Sequence, residues 1–153
     1  MMGGGQQQLQ QLSQELEELD AEIEEKEAEI EEFQDEKAGV DDAIEAIETL
    51  DSGATVQVPL GGGAYVRAEV QDIDEIIVDL GGGYAAEQAQ GDAVDALESK
   101  KESLDDRISA VREEITELEE ESAELEQRAQ QMQQQMQQQQ MQQMQQQGEE
   151  GGQ

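Results

Sequence analysis

The chain is 153 residues long, with 35% hydrophobic and 2% aromatic residues, so a large globular core is not expected. Forty acidic residues against eight basic ones give a formal charge of −32, which would repel the phosphates of nucleic acid. Cysteine and histidine are absent, which excludes disulfides, zinc sites built from these residues, and thiol- or imidazole-dependent catalysis.

The N-terminal segment MMGGGQQQLQ has neither the basic nor the apolar region of a secretory signal. No stretch of the chain approaches the roughly 18 consecutive apolar residues of a membrane-spanning helix. We therefore expect a soluble, cytoplasmic protein that has neither a membrane nor nucleic acid as its partner.

The first part of the chain predicts one long helix, from residue 9 to residue 51. Its apolar residues recur at alternating steps of three and four, and only Lys26 and Lys37 interrupt them, both in phase. A turn-favouring Asp-Ser-Gly cluster at residues 51–53 marks the end of the helix. The apolar positions are Leu9, Leu12, Leu16, Leu19, Ile23, Ile30, Phe33, Val40, Ile44 and Ile47.

A second heptad seam predicts another helix, from residue 92 to residue 136, with Asp92 as its N-cap. Both helices are about 43 residues, or about 65 Å, long, which favours antiparallel pairing. In the most consistent register, the residue numbers of each facing pair add up to 141, so that Leu16 faces Leu125. The apolar positions of this seam are Val94, Leu97, Leu104, Ile108, Val111, Ile115, Leu118, Leu125 and Met132.

This register also makes predictions for the few basic residues. Three seam lysines, Lys26, Lys37 and Lys101, are expected to lay their stems along the seam and keep the ammonium groups in water. Three interhelical ion pairs are expected: Glu36 with Arg107, Glu27 with Arg112, and Glu15 with Arg128.

The acidic residues alternate with apolar ones at steady intervals, which indicates the charged surface of folded helices. Neighbouring acids three or four residues apart repel one another at low ionic strength, whereas near 1 M salt the screening length falls to about 3 Å. We therefore infer an organism with a salty cytoplasm. An ordinary acidic coiled-coil protein is the alternative.

Residues 54–88 predict two β-hairpins. Their sequences, TVQVPLGGGAYVRAEV and EIIVDLGGGYAAEQ, place β-branched and aromatic residues around a glycine triplet. The unit recurs after twenty positions, since Val58, Leu60 and residues 61–63 correspond to Val78, Leu80 and residues 81–83. The glycines are interpreted as hairpin turns, because no P-loop Lys and Ser/Thr follow them.

Two isolated hairpins are marginal in water and have free edges, so partner subunits are expected to complete the sheet. A small sheet that caps the coiled coil within one chain is the alternative. The predicted assembly residues are Val56, Val58, Leu60, Tyr65, Val66, Ile76, Ile77, Val78 and Leu80.

The C-terminal stretch is mostly glutamine and methionine, and its heptad phase fades, so residues 137–153 are predicted to form a disordered tail. Methionine is flexible and polarizable, which suits loose capture of varied apolar segments. A fraying coiled-coil end whose side chains pack on one another is the alternative. The predicted client-binding residues at the tips are Leu9, Leu12, Met132, Met136, Met141 and Met144.

No catalytic, metal or cofactor site is predicted. Carboxylates are abundant, but acid–base catalysis needs one of them desolvated in a pocket, and a two-stranded coiled coil encloses little volume. Asp72, Asp74, Glu75 and Asp79 lack the central glycine and final glutamate spacing of a calcium loop. We therefore do not expect an enzyme.

The order of helix, two glycine-turn hairpins and equally long helix resembles the prefoldin family, and the two hairpins resemble its alpha class. The most specific parts are VQVPLGGGAYV and IIVDLGGGYAAEQA, which leads directly into the second seam. The resemblance covers the whole chain, residues 1–153, as a single domain. It implies a mainly α fold, with a long antiparallel two-helix coiled coil and two central β-hairpins that join an oligomeric β-barrel platform.

The same resemblance implies a function. The partners would be prefoldin beta subunits, in a hexamer of two alpha and four beta subunits, and the complex would hold non-native client proteins at its tips without ATP. It would pass them to a group II chaperonin. The alternative from the residues alone is an acidic coiled-coil scaffold that assembles through its hairpins and is not a chaperone.

Overall fold

The computed structural model describes residues 3–150, with side chains for residues 4–148. It has two long helices and two small antiparallel hairpins, which confirms the predicted fold class. The strands form two separate two-stranded sheets, so no barrel closes within this described part of one chain. No helix in the same range has an apolar stretch long enough to cross a bilayer. The elements are α1 (Gly3–Thr49), β1 (Thr55–Gly61), β2 (Ala64–Glu69), β3 (Ile76–Gly81), β4 (Tyr84–Gln88) and α2 (Gln90–Glu150).

The described residues form two compact units. The first, here called the tip unit, combines the chain up to Ile30 with the chain from Ala110 onward. The second, the hairpin unit, runs over Glu31–Ser109.

In the tip unit, α1 and α2 run antiparallel in the predicted register. A Cβ atom at Gly5 would lie 3.3 Å from the sulfur of Met136, and these two residues share one predicted layer. Leu19, Val111 and Ile115 are buried, and the half-buried positions on both helices follow the steps of three and four seen in the sequence. The heptad pattern therefore forms the seam because each apolar stripe is covered by the other.

In the hairpin unit, α1 and α2 also pack along their apolar stripes. Val40 on α1 and Leu104 and Ile108 on α2 are buried there. Ala93 in the first turn of α2 is fully buried, and Val78 of β3 is 6% exposed. The core of this unit thus includes one strand residue besides the helical seam.

The interhelical ion pairs differ from the predicted ones. Among residues 4–148 they join the seam lysines to acids, and none of the three predicted glutamate–arginine pairs forms. A seam lysine lies on the apolar stripe and reaches the acid next to the residue opposite, whereas Arg107 instead lies over the ring of Phe33, 6.0 Å from its centre. The observed pairs are Lys26–Glu114 at 2.6 Å, Lys37–Asp105 at 2.6 Å and Lys101–Asp41 at 2.7 Å.

The helix ends also differ from the prediction. Helix α1 begins at Gly3, earlier than residue 9, and ends at Thr49. Helix α2 begins at Gln90, so Asp92 lies in its first turn and is not the N-cap.

The predicted C-terminal disorder is wrong for residues 137–150, because α2 continues to Glu150, and residues 151–153 lie outside the described range. A heptad pattern marks only those helical positions that a partner helix covers, so its loss does not indicate the end of the helix. Glutamine and methionine favour helix without such contact.

The two hairpins share one turn geometry, as the internal repeat predicts. Gly61, Gly62 and Gly63 have φ values of 99°, 58° and 82°, and the second triplet has 92°, 62° and 82°. Each hairpin also has a register shift just before its turn. All six φ values lie in the left-handed region that glycine adopts without steric cost, which explains why the triplet occurs twice.

Candidate functional surfaces

The exposed large apolar side chains of residues 4–148 fall into two sets. One set lies on the hairpins, and the other is a pair of methionines near the end of α2. The acidic outer faces of the helices carry none. The first set, here called the hairpin surface, is Val58, Leu60, Tyr65, Val66, Ile77, Leu80 and Tyr84, and the second, the methionine pair, is Met141 and Met144.

The first hairpin exposes apolar side chains around a cross-strand valine pair. Val58 of β1 faces Val66 of β2, and the two are 40% and 45% exposed. Tyr65 is 62% exposed beside them, while Val56 is half-buried. A valine pair this open has lost only part of its contact with water, so further burial against another chain would be favourable.

The second hairpin divides its apolar residues between two faces. Ile77 is 69% exposed, whereas its neighbour Val78 is 6% exposed and pairs with the half-buried Ala86. Successive strand residues point to opposite faces, so Val78 and the half-buried Ile76 face the interior of this unit. Among the predicted assembly residues, Val78 thus belongs to the chain's own core.

The sequence prediction missed one exposed aromatic residue, Tyr84, which is 77% exposed. It follows directly after the second glycine triplet, much as Tyr65 follows the first. This repeated placement of a tyrosine beside the turn could have predicted that Tyr84 is exposed as Tyr65 is.

Side-chain hydrogen bonds hold the hairpins at the junction with the helices. The Gln90 amide donates to the carbonyls of Ile47 and Leu50, at 2.7 and 3.3 Å. The Ser52 hydroxyl accepts from the backbone N–H of Ile73 at 3.0 Å. Carbonyls in the last turn of a helix lack intrahelical donors, so Gln90 stabilises the end of α1 from the start of α2.

The predicted client-binding residues fall into two groups. Leu9, Leu12, Met132 and Met136 are half-buried in the seam between α1 and α2, so the structure brings these four together as packed coiled-coil residues. Met141 and Met144 are 71% and 75% exposed. Residues three positions apart lie on one side of a helix, so this pair presents a single apolar surface.

Charge is distributed unevenly within the tip unit. Residues 3–14 of α1 and residues 129–148 of α2 contain no ionisable side chain, and the antiparallel register places the first stretch beside residues 127–138 of α2. We call them together the uncharged tip. Among residues 3–148, every acid and base lies between Glu15 and Arg128.

Two of the seam lysines have altered proton affinities. A hydrogen bond to Glu114 raises the pKa of Lys26 above its ordinary value, and a hydrogen bond to Asp41 raises that of Lys101. Further acids next to each lysine act in the same direction. The raised pKa favours the charged form of each lysine, which donates a charge-assisted hydrogen bond to an acid of the other helix.

Comparison with known proteins places these surfaces in context. A model of the prefoldin subunit family matches residues 12–142. The chain is 79% identical over 108 residues to prefoldin subunit alpha of Halorubrum lacusprofundi, which is 71% of each chain. It is 68% identical over 106 residues, or 69% of each chain, to prefoldin subunit alpha of Halobacterium salinarum.

The fold is also similar to a solved structure, that of filamentous PFD from Methanocaldococcus jannaschii. The TM-score is 0.51 at 26% sequence identity, and the match covers 76% of this chain and 93% of that chain.

Proposed function

Since this chain belongs to the prefoldin family, we propose that it is a chaperone subunit that holds non-native proteins without ATP. One observation carries the proposal: among residues 4–148, the exposed large apolar side chains are confined to the hairpin surface and the methionine pair. Two separate apolar surfaces on one acidic chain support two separate contacts. One would serve assembly with other subunits, and the other would serve capture of clients.

We propose that the hairpin surface joins this chain to the other subunits of a prefoldin oligomer. Each two-stranded sheet has unpaired edges beside exposed apolar side chains, and a sheet of this size is marginal alone. The proposed assembly is a hexamer of two copies of this chain and four beta subunits, whose hairpins together close a β-barrel platform. The similar archaeal structure is itself described as filamentous PFD, so that protein assembles too.

We propose that clients bind at the uncharged tip. The methionine pair makes the first apolar contact, and fraying of the helix ends adds Leu9, Leu12, Met132 and Met136. Each contact is weak, but several tips of one oligomer that grip the same client raise the total affinity through effective concentration. Because binding needs no chemical step, no nucleotide is required.

We propose that the client then passes to a group II chaperonin, which competes for the same exposed segments. We further propose that the protein works in the cytoplasm of a cell that accumulates salt. The support for this is the charge of −32 together with the halophilic archaeal relatives.

The holding activity can be tested with the complete complex. This chain is assembled with its cognate beta subunit in high salt and mixed with a chemically unfolded protein without ATP, and light scattering is followed. We expect aggregation to be suppressed. Unchanged aggregation would instead favour the acidic scaffold that is not a chaperone.

A pair of matched variants tests the place of capture. Met141→Ser with Met144→Ser removes the methionine pair, while Gln34→Ser with Gln127→Ser changes two exposed helical glutamines outside the uncharged tip. We expect the first variant to suppress aggregation less well and the second to match the unmodified complex. Native mass spectrometry should show the same assembly for both, and a dissociated complex would contradict the proposed division of roles.

A further inference from the structure

The uncharged tip contrasts with the rest of the chain. Its two stretches, residues 3–14 and 129–148, belong to helices that carry an acid every few positions elsewhere, and Glu149 and Glu150 are the next acids after the second stretch. Residues 129–148 consist of glutamine and methionine apart from Ala129 and Gly148. A chain that places acids on nearly every exposed helical turn thus has none on the surface proposed to touch clients.

Screening explains why charge matters only at that surface. Near 1 M salt the electrostatic screening length is about 3 Å, so the acidic body exerts little force on a molecule several ångströms away. Charges in direct contact are not screened in this way, because water and ions are displaced from between them. An acidic chaperone can therefore approach an acidic client in high salt and needs a neutral surface only where the two touch.

The tip offers neutral hydrogen-bonding groups in place of charge. A groove there is lined by Gly5, Gln6, Met136, Gln139, Gln140, Gln142, Gln143 and Gln146. Each glutamine amide supplies both donors and an acceptor, which match the free N–H and C=O groups of an unfolded backbone. Methionine adds adaptable apolar contact. These interactions do not depend on the sign of the client's charge.

We propose that the uncharged tip is a docking surface for non-native chains that are themselves rich in acidic residues. This inference rests on the proposed function, since it names the class of client that the tip holds. Other proteins of the same cell share the solvent to which this chain's charge of −32 is suited, so acidic clients are the ones it meets. Removal of charge from the tip lets one acidic chain hold another.

The test adds charge to the tip without change of size. Gln139→Glu, Gln142→Glu and Gln146→Glu lie on the groove side of α2, and glutamate favours helix as well as glutamine does. The control adds the same three charges elsewhere, through Gln34→Glu, Gln71→Glu and Gln127→Glu, all at exposed positions. Circular dichroism in the assembled complex verifies that the helices are intact.

Binding is measured by fluorescence at the lowest salt that keeps the helices folded. The clients are reduced, unfolded α-lactalbumin, which is acidic, and reduced, unfolded lysozyme, which is basic. We expect the tip variant to bind the acidic client about three- to tenfold more weakly, because each of the three added charges would repel a charge of the client by a few tenths of a kcal/mol. The basic client should bind no more weakly. The control variant should bind both clients as the unmodified complex does.

The outcomes separate this inference from the proposed function. Equal binding of the acidic client by the tip variant and the unmodified complex overturns the inference and leaves the holding activity intact. Equal loss of both clients also overturns it, because the amides and not neutrality would then matter. If the unmodified complex binds neither client, the proposed function itself is wrong.

Discussion

The side-chain amide of Gln90 donates a hydrogen bond to the backbone carbonyl of Ile47, 2.7 Å away. Gln90 is the first residue of α2, and Ile47 lies in the last turn of α1. All four strands lie between them in sequence. One side chain therefore closes the whole hairpin segment into a loop with fixed ends.

Replacement of this residue should weaken the junction. Gln90→Ala removes the donor and leaves the helix-end carbonyls unpaired, so we expect the free energy of unfolding to fall by about 1 kcal/mol. Gln90→Glu should cost more, because a carboxylate would face carbonyl oxygens. Urea unfolding in high salt measures both effects. Gln34→Ala, at an exposed position of α1, is the control and should change stability little.

Substitution of two neighbouring residues of β3 should affect two different properties, the stability of the chain and its assembly. Val78→Ala removes buried atoms, so we expect it to lower the free energy of unfolding by about 2 kcal/mol. Ile77→Ser changes a residue that is 69% exposed, so the isolated chain should keep its stability while assembly with the beta subunit weakens. Analytical ultracentrifugation reports assembly. If Ile77→Ser assembled normally, this face of the hairpin would not be an interface.

Two glycines should respond in opposite directions to alanine. Gly61 has φ of 99°, so Gly61→Ala strains the first hairpin turn by about 1–3 kcal/mol and should lower the thermal midpoint. Gly39 lies inside α1 with open space around the position of a side chain. Gly39→Ala should therefore raise the midpoint, because alanine favours helix by up to about 1 kcal/mol. A lower midpoint for Gly39→Ala would contradict this account.

Helix content should depend on salt. Acids three or four positions apart repel when screening is weak, so circular dichroism in tens of millimolar salt should show lost helix that molar salt restores. Replacement of exposed acids on one side of α2, as in Glu117→Gln, Glu121→Gln and Glu124→Gln, should lower the salt needed. Full helicity of the unmodified chain in low salt would remove the argument for adaptation to a salty cytoplasm.

The seam lysines should give a distinct alkaline response. The pKa values of Lys26 and Lys101 are raised above the ordinary 10.5 in the folded state. Their ion pairs therefore stabilise the fold fully below pH 10.5, and this contribution is lost as pH rises through the raised values. We expect Lys26→Met with Lys101→Met to lose less helix between pH 10 and 12 than the unmodified chain, by circular dichroism. Lys100→Met, at an exposed position, should not alter the profile.

Most of the fold could be predicted from local sequence patterns. Heptad spacing identified both seams, since it reports directly which residues another helix must cover. The glycine triplets identified both turns, because positive φ strongly favours glycine. The antiparallel register followed from the apolar layers, and the contact of Gly5 with Met136 agrees with it.

Other features could not be predicted from spacing. The choice of lysine over arginine for the ion pairs depends on how far a seam side chain extends sideways, which residue numbers do not report. The inward position of Val78 depends on where the second hairpin lies within its unit. The helical course of residues 137–150 depends on intrinsic propensity, which carries no periodic signal.

The residue numbers of facing positions total 141, so Gly3 at the start of α1 faces position 138, and residues 139–150 of α2 extend beyond the described part of α1. The backbone hydrogen bonds of that stretch are made within α2 itself, and the ends of a helix fray more readily than its middle. It can melt and re-form without disturbance to any packed layer. The two exposed methionines therefore lie on a part of the subunit that can change conformation without loss of core packing.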